Sequence, residues 1–249
     1  MMAAFDYKSV CERVSRYFGY SDPLMTFTVI GSQMEPTVKK YHKVRMVGIL
    51  FTRPVTNLAQ DEIIPNLEYF HARTGENIDF FCAGFCAYVP PASGVECVLD
   101  NTGQEVMLKD SNIHWQFDNR GFDRFRRDIE VRTENKWKYS GESDLILINA
   151  KYDLQTHTAS LDFSSAIVLN LSKAIADKAI LSTSELFEDI ARFAESHSGD
   201  DPTWGYSDHR GKKIGKSVLL DVLMAILPES VRDRFRDSFH FYVRDLSGN

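Results

Sequence analysis

The stretch NIDFFCAGFCAYVP, residues 77–90, is the most apolar part of the chain and is closed by Pro90 and Pro91. It is far shorter than the roughly 20 residues needed to cross a bilayer as a helix. Its phenylalanines and small side chains fit a buried strand, and a buried strand needs neighbours that complete its hydrogen-bond ladder. Three further runs have the same character: LMTFTVIGS (24–32), KVRMVGILFTRP (43–54) and SDLILINAKYD (143–153). SLDFSSAIVLNL (160–171) follows the last of these after a loop, so the two are expected to pair as a hairpin.

Between the strands lie segments with helical spacing. The first 20 residues carry apolar positions of an amphipathic helix ending near Gly19 and read as mature structure, not a secretory signal. In NLAQDEIIPNLEYFHARTG (57–75), Ile63, Ile64, Leu67 and Phe70 form one face, Gly75 stands at the C′ position, and Pro65 starts or kinks the regular helix. A helix is predicted over 120–139 with Phe122, Phe125 and Ile129 inward and an Arg-rich outer face. Residues 172–179 read as a short helix, and Ser182 with Glu185 forms a capping box opening a helix whose buried face is Leu186, Ile190 and Phe193. Residues 92–118 receive no firm assignment beyond a hairpin near 101–103.

The polar stretch 199–210 reads as a linker between a main α/β domain (1–198) and a helical C-terminal extension (211–249) packed on it. The expected fold class is thus α/β, a mixed sheet with flanking helices. The element order from residue 44 to residue 198 resembles the thioredoxin-like arrangement. That resemblance places a redox CxxC pair after the first core strand, at a helix N-terminus where thiol pKa falls. Here the position reads TRPVTNLAQDE and holds no cysteine, so the resemblance implies the scaffold without its redox activity.

The four cysteines, Cys11, Cys82, Cys86 and Cys97, without an export signal, fit reduced thiols in the cytoplasm. In an extended strand Cys82 and Cys86 stand about 13 Å apart, beyond disulfide reach and too far to chelate one ion, unless Gly84 bends the chain sharply. They read as core thiols.

GKKIGKS (211–217) ends like a phosphate-binding loop, but only three residues separate its glycines and Arg210 occupies the required glycine position. It reads as a basic turn opening a helix. GESDLILINAKYD resembles the metal-binding strand of the restriction-endonuclease-like family. That resemblance puts Asp144 and Lys151 in metal-binding and water-activating roles, but the acid two residues before Lys151 is replaced by Asn149. Asp162 or Asp153 would have to supply the second carboxylate. The seven histidines are scattered singly, without metal-ligand spacing or a nucleophile motif beside them.

On the 120–139 helix, Arg124, Arg126, Arg127, Arg132 and Lys136, with Trp137, are the candidate binding residues, suited to a protein partner or to phosphate groups of nucleic acid. Acidic residues interrupt this face, and the net charge of −6 gives no global attraction to polyanions. The function expected is that of a non-catalytic interaction or accessory subunit of a cytosolic complex, binding a protein partner or its own copy. It needs no cofactor or metal and has no membrane association. The alternatives are a metal-dependent phosphodiester hydrolase using Asp144, Lys151 and Asp162, and a nucleic-acid binder using the basic helix.

Overall fold

A computed structural model describes residues 2–4, 6–19, 26–30, 33–37, 44–73, 78–88, 104–106, 114–153, 155–196, 201–209 and 240–248. Its centre is a mixed sheet built around β4 (Val44–Thr52). β4 runs parallel to β5 (Asp79–Ala83) on one side and antiparallel to β9 (Ser143–Asp153) on the other. β1 (Met2–Ala4) extends the sheet beyond β5 in parallel, while β10 (Thr158–Asn170) and β11 (Val243–Arg244) extend it antiparallel beyond β9. The order is β1-β5-β4-β9-β10-β11. Two further sheets are smaller: β2 (Thr26–Ile30) with β3 (Gln33–Thr37), and β6 (Phe85–Tyr88) with β8 (His114–Phe117) and β7 (Gln104–Val106).

Residues 46–52 of β4 are all buried, so both faces of the sheet must be covered. On one face Phe51 meets Phe125 and Phe122 of α3 (Asn119–Arg132), and also Trp137 beyond its end. α1 (Tyr7–Gly19) joins this layer through the Tyr7 amide, which donates to Asp128 of α3 at 3.0 Å. On the other face lie α2 (Leu67–Ala72), α5 (Thr183–Ser196) and α6 (Pro202–His209). There Phe187 stacks between Phe70 and Phe80, at 4.3 and 4.6 Å between ring centroids. Gly48 is required beneath this cluster, because a Cβ there would come within 2.5 Å of the Phe80 ring. α4 (Leu171–Ala176) follows β10 directly, and the Asn170 side chain caps it by accepting from the Lys173 amide at 2.8 Å.

The structure differs from the sequence-based expectation in five places. The apolar run 77–90 is two strands, not one: Gly84 takes a φ of +74° and turns the chain out of the central sheet into the small one. The expected single N-terminal helix is preceded by β1. The helix predicted over 120–139 stops at Arg132, where the positive φ of Glu134 and Asn135, 48° and 60°, ends it. In the 57–75 segment a π turn (Ala59–Ile63) and a 3-10 turn containing Pro65 precede the α-helix, since Pro65 supplies no amide donor. Within the expected linker, α6 packs against β9 and β10 with Thr203 and Tyr206 fully buried, and the C-terminal end contributes β11. Most of the helical C-terminal extension expected over 211–249 lies outside the described residues, as do the glycine and lysine turn at 211–217 and the hairpin at 101–103.

Gly84 holds the two sheets in place. Its carbonyl accepts from the Asp118 amide at 2.8 Å, and a Cβ at its position would meet Phe122 Cβ at 2.8 Å and Asp118 O at 2.9 Å. Gly84→Ala is therefore expected to lower unfolding free energy by about 3 kcal/mol, combining left-handed strain with overpacking. Urea denaturation measures this, and a wild-type midpoint in the variant contradicts it.

Candidate functional site

The carboxyl end of β4, the start of β9 and the end of β10 coincide, because Thr52 pairs with Ser143 and Asp144 with Asn170. Asp144 opens this end of the sheet. It is buried, and its two oxygens accept from the Ser140 amide at 2.8 Å and the Ser140 hydroxyl at 2.7 Å. Burial pushes its pKa up, and the two hydrogen bonds from Ser140 oppose the rise.

Lys151 and Asp162 do not join Asp144. Seven residues of extended chain place Lys151 about 23 Å from Asp144, and an odd separation puts the two on opposite faces of β9. Lys151 pairs with Asp162 at 2.6 Å at the far end of the hairpin. Desolvation raises the Asp162 pKa, but the hydrogen bonds from Lys151 and Ser164 together outweigh it and leave the group more acidic than usual. Asp153 is turned back on its own loop, accepting from Gln155 and Thr156.

Asn149, where a nuclease strand would carry its second acid, has a different task. Its amide nitrogen donates to Asp201 at 2.7 Å and to Thr203 at 3.1 Å, while its carbonyl accepts from the Thr203 amide at 3.2 Å. Ser165 completes this buried network by bonding Thr203 at 2.5 Å. Together these groups cap α6 and fix it on the sheet. Among the described residues no cluster of three or more His, Cys, Asp or Glu could hold a metal ion.

The basic helix is divided by its ion pairs. Arg126 binds Glu130 at 2.8 Å, and Arg132 binds Asp128 at 2.9 Å while lying 3.7 Å over the Tyr7 ring. Lys136, beyond the helix, donates to the Ser247 carbonyl. Trp137 is buried against Phe51. Arg124 and Arg127 are exposed and, with Asn119, Arg120 and Asp123, line an outward groove of about 550 Å³. Arg53, which directly follows β4, closes one side of this region by donating to Asn119 at 3.0 Å and Asp123 at 2.8 Å.

Cys82 is a buried free thiol whose pKa burial pushes up, and Cys11 is also free. Cys86 is disulfide-bonded, which corrects the expectation that all the thiols are reduced. The Gly84 turn separates it from Cys82, which stays in the central sheet.

Sequence reasoning missed a second cavity, of about 270 Å³, beside Asp144. Lys136, Lys138, Lys173 and Arg244 reach it from three separate parts of the chain, together with the buried His240. β11 brings in Arg244 by pairing it with Ala166, and this long-range pairing has no local signature in sequence. His240 Nε2 lies 3.2 Å from Asp177. Comparison with known protein families, curated proteins and solved structures finds no match to this chain.

Desolvation lowers the His240 pKa below 6.5, Asp177 opposes the shift, and Lys173 and Arg244 add to it. The imidazole is therefore neutral at pH 7. Below pH 6.5 the unfolded chain takes up a proton that folded His240 refuses, so this group's contribution makes stability fall as pH drops through that range. An NMR titration should place His240 below 6.5, lower still in Asp177→Asn and higher in Lys173→Ala. A wild-type value above 6.5 contradicts this description.

Proposed function

We propose that this chain is a non-catalytic interaction or accessory subunit, built on a thioredoxin-like sheet that lacks the redox pair. The order β5-β4-β9-β10, with one parallel pair followed by two antiparallel ones, supports the thioredoxin-like part of this reading. After β4 the chain carries Arg53 and Pro54 in place of a cysteine, and Arg53 is bound to α3. The free thiols of Cys11 and Cys82 favour a cytoplasmic setting, and the disulfide at Cys86 weighs against it. Among the described residues no helix is long and apolar enough to cross a membrane.

The groove along the first turns of α3 carries the interaction reading. Among the described residues, Arg120, Arg124 and Arg127 line it together with Asp123, which Arg53 and Arg126 engage. In a chain of net charge −6, this concentration of guanidinium groups suits an acidic segment of a protein partner, or of a second copy. A nucleic acid is the less favoured occupant, because Phe122, Phe125 and Trp137 are buried and offer no stacking platform. The hydrolase alternative is disfavoured by the wide separation of Asp144 from Lys151 and Asp162.

Pull-down from native extract with the wild-type chain and with Arg124→Glu/Arg127→Glu tests the reading. The double variant should retain less than a tenth of the acidic partner while its thermal melt stays unchanged. Equal recovery with both proteins contradicts the assignment. Salt-sensitive capture of an oligonucleotide, lost in the same variant, would replace it with the nucleic-acid reading.

A further inference from the structure

We propose that Asp79 is a proton-operated switch in the central sheet, one that strengthens the fold as the surroundings turn mildly acidic. Asp79 opens β5, a strand buried at every position, and its own side chain is wholly shut off from solvent. It pairs with Val47, and Arg45 stands two residues earlier on the same face of β4. The Arg45 Nε lies 3.0 Å from one Asp79 oxygen, an ion contact without hydrogen-bond geometry. Among the described residues, neither Asp79 oxygen accepts a hydrogen bond.

This sets Asp79 apart from Asp144. Asp144 is also buried, but it accepts two hydrogen bonds from Ser140. A carboxylate is tolerated in the interior when hydrogen bonds replace its hydration, and a single ion contact replaces little of it. The neutral acid loses far less on burial, so the geometry at Asp79 favours the protonated form.

The charges around Asp79 pull the other way and are outweighed. Among the described residues, Arg45 on β4 and Arg13 on α1 act on it, and both favour the carboxylate. Arg13 is exposed, so solvent screens its field. β1, on the outer side of β5, carries only Met2, Ala3 and Ala4. On the other side of β4, Lys151 of β9 is held by Asp162. Desolvation exceeds the pull of Arg45 and Arg13 and pushes the Asp79 carboxyl from an ordinary 3.8 up to about 6. Between these values the folded chain holds a proton that the unfolded chain releases. The stability from this group is therefore fully present below 3.8 and is lost as pH rises through about 6. That direction is opposite to the one set by His240, and the switch does not depend on the α3 groove.

Carboxyl 13C NMR of the full wild-type chain, titrated from pH 3 to 8, reads the switch directly. Asp79 should titrate with a midpoint of about 6. A midpoint below about 5, in a group whose ordinary value is 3.8, overturns the proposal. Urea denaturation at pH 7.5 and pH 5.0 supplies the second readout. Relative to Asp79→Asn, which keeps the shape and stays neutral, the wild-type folding constant should rise about tenfold between the two. Taking the ratio of the two proteins cancels the His240 contribution that they share. A ratio that is unchanged or falls on acidification overturns the proposal as well. Where Asp79→Asn does not fold, the carboxyl titration decides alone.

Discussion

β4 is a strand buried on both faces and paired on both edges, and nearly every other element answers a requirement that it sets. Its Val47, Ile49 and Phe51 side demands the α1 and α3 layer, and its Gly48 side admits Phe80 and the α2, α5 and α6 layer. Its edges fix β5 and β9 in register. A strand in this position cannot slip by one residue without exchanging the two cores, so the register is strongly specified. Thr52 at its end then sets where Ser143 and Asp144 fall, and Arg53 ties the following turn to α3.

Much of this frame was legible in local pattern. The range 143–153 matches β9, and the buried face of Leu186, Ile190 and Phe193 matches α5, because both segments express one periodicity without interruption. The unread parts depend on single residues or on distant contacts. Gly84 lies inside a continuous apolar run, and only its positive φ reveals that the run serves two sheets. Asn149 and Thr203 cap α6 across 54 residues of sequence, so residues with the composition of a linker became a packed helix.

For the sites, the sequence exposed residue types but not their company. The basic face of α3 was visible, yet the ion pairs that occupy Arg126 and Arg132 while Arg124 and Arg127 line the groove depend on side-chain placement. The odd spacing of Asp144 and Lys151 already set them on opposite strand faces, and the structure adds the separate partners that each one holds. The cation-lined cavity could not be read locally, since Lys138, Lys173 and Arg244 meet only through the sheet. The α3 groove thus lies outside the nuclease-like strand pattern, and the second cavity shares only Asp144 with it.

The strand order around β4 is the claim on which the scaffold and both sites depend, and cross-strand nuclear Overhauser contacts test it most directly. With β4 central, Gly48 should show contacts to Leu147 on one side and to Phe80 on the other in the same spectrum. Contacts from Gly48 to only one neighbouring strand, or a direct pairing of β5 with β9, would contradict the account.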